Sequence, residues 1–251
     1  GCRGSGRLVV ELRLKALAAA LAVLGVVSAC SPAAPTGLPD RLPESDVEIS
    51  MLQTVDQLLA LRSAAFSLEH LEGSTVLVPG ILMNKVSGVV SIPGRFKVTV
   101  EAESEFPRSY LEIGVITIDD AAYMTDIFTG RWNKVSAETL PFNLSGLGQT
   151  LARIIDSVTQ PHAIRTEQLN GTDTTLIKGQ IFSESLSELV PGSAEGFPVE
   201  LEFWLEPGGL LRQVLIIGQV VATDAPDTVR KLTLDNINQP VEIEPPGNVS
   251  G

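Results

Sequence analysis

Apolar residues recur along this chain in two rhythms, and the places where one gives way to the other mark its elements. Between Val47 and Leu61, the residues Met51, Leu52, Val55, Leu58 and Leu59 fall at helical spacing, and Ser45 or Asp46 stands where an N-cap is expected. From there to Asp119 the period shortens to two. Ala65–Leu71, Val86–Val90, Phe96–Ala102 and Arg108–Ile118 each alternate apolar with polar positions, which predicts antiparallel strands with one wet face. Pro93-Gly94 separates two of them as a tight turn. Asp120–Trp132 reads as a further hairpin around a glycine. Leu147, Leu151, Ile154, Ile155 and Val158 restore the helical period over Leu144–Val158.

Strands resume over Ala163–Gln168 and Asp173–Ile181 across Asn170-Gly171, a strong hairpin dipeptide, and a short helix is expected over Ser183–Leu189. Three more strands follow, over Val199–Leu205, Leu210–Val221 and Thr228–Ile237, the first two joined by Pro207-Gly208-Gly209. About nine or ten strands and two or three helices without βαβ alternation predict an α+β fold. A sheet of that size tends to curl. The expected architecture is therefore a large curved antiparallel sheet, a half-open barrel, with helices covering the concave face. The expected domain covers residues 47–243, with a disordered tail at 244–251.

The N-terminal stretch follows neither rhythm. Arg3, Arg7, Arg13 and Lys15, with a single acid at Glu11, precede an apolar run from Ala16 to Ala29, and Val27-Ser28-Ala29-Cys30 closes it. A positive region, a short apolar run and small residues at a cleavage position predict a secretory signal peptide at residues 1–29. An aliphatic residue and two small ones directly before a cysteine form a bacterial lipobox, so Cys30 is the expected lipidation site, carrying diacylglycerol and palmitate-type chains. Initiation at Leu8 or Val10 would give a more compact signal. Residues 30–46, with four prolines, read as a semi-extended linker. The expected location is the cell membrane, outside the cytoplasm, with attachment through the N-terminal lipid anchor.

Charge narrows the partners. The whole chain carries −12 at neutral pH, and losing the basic signal segment leaves the remainder more acidic still. Nucleic acid, whose phosphates require a basic footprint, is excluded. The chain has two cysteines, Cys2 in the signal and Cys30 at the lipobox, so no thiol chemistry or cysteine-held metal is expected in the domain.

Catalytic patterns are equally sparse. The two histidines, His70 and His162, have no ligand or base at helical spacing, and His70 in an alternating strand reads as a satisfied strand residue. Gly192-Ser193-Ala194-Glu195-Gly196 has the wrong spacing for a nucleophile elbow. Gly146-Leu147-Gly148 follows no strand and makes no phosphate cradle. Glu101, Glu103 and Glu105, like Glu200 and Glu202, share one strand face and read as a solvated surface, and Asp119-Asp120 reads as a turn. No enzyme, metal or cofactor is expected. By alternation the inward positions, and so the candidate lining of an apolar cavity, are Val86, Val90, Val98, Val100, Leu111, Ile113, Val115, Leu201 and Phe203. Aromatic residues make up only 5% of the chain, so such a cavity would be mainly aliphatic, suited to acyl chains that need no directional partner.

Several segments, in order and spacing, resemble the LppX/LprAFG family of bacterial lipoproteins. They are Cys30, Ala64-Ala65-Phe66-Ser67-Leu68, Gly88–Phe96, Tyr123–Trp132, Phe203-Trp204-Leu205-Glu206-Pro207, and Leu232-Thr233-Leu234 leading to Pro240–Ile243. The resemblance implies the lipoprotein-carrier fold, a half-open barrel whose helices lid an apolar cavity. It implies a carrier that holds the acyl chains of a lipid or glycolipid cargo and moves it across the envelope, and it allows an envelope export partner. The alternative on the same fold is a sensor or assembly factor that binds a protein or lipoprotein partner and has a filled core.

Overall fold

The computed structural model describes residues 44–140 and 142–250. The expected signal segment, Cys30 and the linker up to residue 43 lie outside the described residues. Helix α1 (Glu44–Leu59) leads into β1 (Ser63–Glu72), β2 (Thr75–Val78), β3 (Ile81–Ser91), β4 (Arg95–Glu105), β5 (Arg108–Ile118), β6 (Ala121–Thr125) and β7 (Trp132–Val135). Helix α2 (Leu147–Asp156) then precedes β8 (Thr159–Leu169), β9 (Thr172–Phe182), β10 (Pro198–Glu206), β11 (Leu210–Ile217), β12 (Val229–Asp235) and the two-residue β13 (Val249–Ser250).

All the strands join one sheet in the order β13-β7-β6-β5-β4-β3-β1-β12-β11-β10-β9-β8, with β2 attached to β3 off this path. Every pairing is antiparallel except β13 with β7. β13 and β8 end the sheet without meeting, so the barrel is half-open. The first and last parts of the chain meet at its centre, where β1 lies between β3 and β12 through Leu68↔Val86 and Leu68↔Leu232.

The alternation works as expected along these strands. In β4, Phe96, Val98, Val100 and Ala102 are buried while Arg95, Lys97 and Glu103 face solvent. Asn170 and Gly171 both take positive φ, +53 and +84, the pair of left-handed conformations that a two-residue hairpin turn requires. The helices cover the apolar face. α1 buries Val47, Met51, Thr54 and Leu58, and α2 buries Leu147, Leu151, Ile154 and Ile155. The two cross where Gly148 meets Leu58, and a Cβ on Gly148 would lie 2.3 Å from the Leu58 carbonyl oxygen.

Several expectations need correction. α1 already begins at Glu44, so Ser45 and Asp46 sit in its first turn rather than at its cap. Its Leu52 and Leu59, read as part of the apolar stripe, are exposed, and Val47 and Thr54 fill the buried face instead. The short helix after β9 is a single 3₁₀ turn, Ser183–Leu186. β2 has no counterpart among the expected strands. Within the segment expected as a tail, Val249 and Ser250 pair with Trp132 and Asn133 along the open backbone edge of β7. Ile243, buried just before, anchors that return.

Candidate functional site

The sheet's concave side is solid under the helices and hollow beyond them. Beneath α2, Leu151, Ile154 and Ile155 meet Leu201, Leu211, Val214 and Ile216 around a residual void of only about 10 Å³. That leaves room for one water molecule at most, so this half is packed core. Toward the other half lies a cavity of about 160 Å³. Its floor is built by Phe66 and Leu68 of β1, Met83 and Val86 of β3, Val100 of β4, Ile113 and Val115 of β5, Met124 of β6 and Leu232 of β12. Thr75, Val76 and Leu77 of β2 close one side. Phe142 and Leu144, which precede α2, and Leu189-Val190-Pro191, which follow the 3₁₀ turn, close the other. Phe142 is held there by a tilted contact with Phe96, the ring centroids 6.2 Å apart. Thr75 supplies the one hydroxyl of this lining.

Of the nine positions expected to face a cavity, Val86, Val100, Ile113 and Val115 line it. Val90, Val98, Leu201 and Phe203 point to the same side but are packed core, each at most 2% exposed. Leu111 is half-buried near the outer end of β5 and is not among the lining residues. The difference in placement has one cause: alternation assigns a face, whereas the hollow occupies only one end of these strands. Phe66 and Leu68 share the alternating pattern and could have been read in the same way. The loop residues Phe142, Leu144, Leu189, Val190 and Pro191 follow no period, and nothing local in the sequence marks them.

A polar cluster adjoins the cavity at Thr75. Arg230 has no exposed surface, and its Nη2 donates to Asp224 Oδ2 at 2.7 Å and to Thr75 Oγ1 at 2.7 Å. The same Asp224 oxygen accepts from the Val220 and Val221 amides at 2.9 and 3.0 Å. His70 Nε2 lies 2.9 Å from Thr75 Oγ1, and its Nδ1 lies 3.2 Å from the Asn84 carbonyl. Arginine only donates, so Thr75 Oγ1 accepts from it and its own proton is free for His70 Nε2. The ring is then neutral, with Nδ1–H donated to Asn84. Burial, reinforced by the Arg230 charge, pushes the His70 pKa below its usual range. His70 is thus a satisfied strand residue bound to an alcohol and a carbonyl, without a carboxylate to make it a base. His162 reaches only the Gln160 carbonyl, at 3.0 Å.

The convex face is charged and internally paired. Lys178 bridges Glu200, at 3.2 Å, and Glu202, and this raises its pKa. Lys231 reaches Glu69 at 2.6 Å, and that hydrogen bond holds the Glu69 carboxyl below the usual range. The acid pair at Glu200 and Glu202 therefore flanks a cation. Among the described residues no cluster of three or more histidines, cysteines or acids could hold a metal. Among them also, no helix is long and apolar enough to cross a membrane.

Comparison with known proteins agrees with this geometry. The structure of LprF from Mycobacterium bovis superposes with a TM-score of 0.63 at 17% identity, over 82% of this chain and 99% of that one. LppX from Mycobacterium tuberculosis superposes with a TM-score of 0.54 at 17% identity, over 80% of this chain and all of the other. At such identity the likeness concerns the fold. No curated protein matches the sequence. The profile of the LppX_LprAFG lipoprotein family matches residues 48–243, nearly the whole described domain, and the chain belongs to that family.

Proposed function

We propose that this protein is a membrane-tethered lipid carrier, anchored through acylated Cys30, that takes acyl chains of a lipid or glycolipid into the cavity beneath β2 and carries them across the envelope. The observation that carries this reading is the cavity itself, a hollow walled by aliphatic, methionine and phenylalanine side chains inside an otherwise packed domain. Hydrocarbon is the natural occupant of such a space, since a dry apolar cavity offers dispersion contacts and no directional partner. Each methylene moved from water into it gains about 0.8 kcal/mol. The bilayer offers the same gain, so exchange between membrane and protein is near neutral. The protein's contribution is to spare the chains from water during the passage. Direction then follows from supply on one side and removal on the other.

Native mass spectrometry after gentle purification tests the reading. The expected spectrum shows lipid mass retained on the wild-type protein and lost from Val86→Phe, whose larger side chain fills the cavity. A wild-type protein that emerges free of lipid, and takes up none from vesicles, sinks the carrier. Binding of a protein or lipoprotein partner by that lipid-free chain would establish the sensor or assembly role instead.

A further inference from the structure

The cavity is smaller than its proposed cargo requires. At about 160 Å³ it matches a hole that holds one small aromatic molecule, well below the ~300 Å³ at which ordinary ligand pockets begin. A wall must move for a long acyl chain to enter, and the walls are not equally held. β3 and β4 pair from Ile81↔Ser104 to Ser91↔Arg95, and β4 and β5 pair over their full lengths. β2 pairs with β3 at only three positions, Thr75↔Met83, Val76↔Leu82 and Val78↔Ile81, with an irregularity between Val76 and Val78. No other described strand pairs with it.

β2 also has a pivot. It continues β1 along the same edge of β3, after a break at Gly73. Gly73 has φ +79, a left-handed conformation, and a Cβ there would lie 2.8 Å from Thr228 Oγ1. Only glycine fits this bend without strain. On the far side of the pivot three consecutive residues, Thr75, Val76 and Leu77, line the cavity.

What holds β2 inward, besides three ladder positions, is the Thr75 hydroxyl. It sits between Arg230 Nη2 and His70 Nε2, both on the main path of the sheet. The seat is rigid: Arg230 is fixed by Asp224, and Asp224 by the two amides of Val220 and Val221. Arg230 keeps its Asp224 partner when Thr75 departs, so release exposes no unpaired charge. We propose that β2 is the gate of the cavity, hinged at Gly73 and latched by the Thr75 hydroxyl against Arg230 and His70. The proposal rests on the carrier reading for its purpose but not for its mechanics.

Thr75→Val removes the hydroxyl at nearly constant shape, and Thr75→Ser keeps it. Amide exchange of Val76–Val78 should accelerate about two- to tenfold in Thr75→Val, the range that one lost hydrogen bond supports, and return toward wild type in Thr75→Ser. Amides of β10 and β11, far from the latch, should keep their protection and so report that the fold is intact. Uptake of a pyrene-labelled long-chain fatty acid should accelerate in parallel. Oxidised Val76→Cys/Leu82→Cys, which ties directly opposed residues of β2 and β3, should slow uptake until a reductant is added. Unchanged exchange at Val76–Val78 in Thr75→Val, or equal acceleration in Thr75→Ser, overturns the latch. Uptake unaffected by the Val76–Leu82 tie overturns the gate. A wild-type protein that takes up no fatty acid, yet shows the expected exchange pattern, keeps the latch and refutes the carrier.

Discussion

Among the described residues Arg230 is the largest side chain with no exposed surface, and it forms a fully buried ion pair with Asp224. Such a pair stabilises little against an apolar replacement but is costly to break, because the surviving charge is left in a low dielectric. It also controls its neighbour. His70 is kept neutral by burial and by the adjacent guanidinium, so the folded state binds fewer protons than the unfolded chain once the pH falls below about 6.5. Stability from this group is complete above that pH and declines as the pH falls from the unfolded value toward the lowered folded one. Urea midpoints measured from pH 8 downward should therefore begin to fall in wild type below about pH 6.5, and stay flatter in His70→Gln. Identical slopes for the two proteins would show that His70 is not the titrating group. None of this cluster was legible beforehand. Asp224 lies in a loop and Thr75 in an unexpected strand, and although His70 and Arg230 both sit in expected strands, nothing in the alternation shows that they meet.

At the scale of elements, the two helices pack closely where they cross. With Gly148 against the Leu58 carbonyl, a methyl group at that position has no room unless α1 and α2 separate. Gly148→Ala should lower stability by about 1–3 kcal/mol despite alanine's better helix propensity, which thermal melting would register. A higher melting temperature would mean that the crossing is looser than described. The sequence of this element also shows why some parts of the fold were readable and others were not. β5 was delimited correctly at Arg108 and Ile118 because Leu111, Ile113 and Val115 alternate without interruption between turn residues. Thr75-Val76-Leu77-Val78 is too short and too uniformly apolar to show a period, so β2 escaped notice. β13 was missed because a polar, proline-bearing tail has no pattern of its own and pairs only because β7 leaves an edge open. Val98 and Val100 looked equivalent on one strand, yet only Val100 reaches the hollow; depth along a strand depends on what lies across it.

For the whole molecule, a charged convex face and an apolar concave one separate contact with water from the cavity proposed to hold acyl chains. The net charge of −12 argues against a basic patch for anionic lipid, so the proposed tether relies on acyl chains at Cys30. Replacement of Cys30 by Ala should shift the protein from the membrane to the soluble fraction in fractionated cells, and persistent membrane retention would contradict the anchor. The open seam between β8 and β13 has a wider effect. In a sealed barrel, strand number and shear set the radius once and for all. A sheet with two loose margins is not bound by that rule, and it can deepen or flatten its bow by small changes of twist at every strand. Each ladder bond survives such flexing, so on the carrier reading one scaffold can accommodate lodgers of different girth without unpicking its backbone.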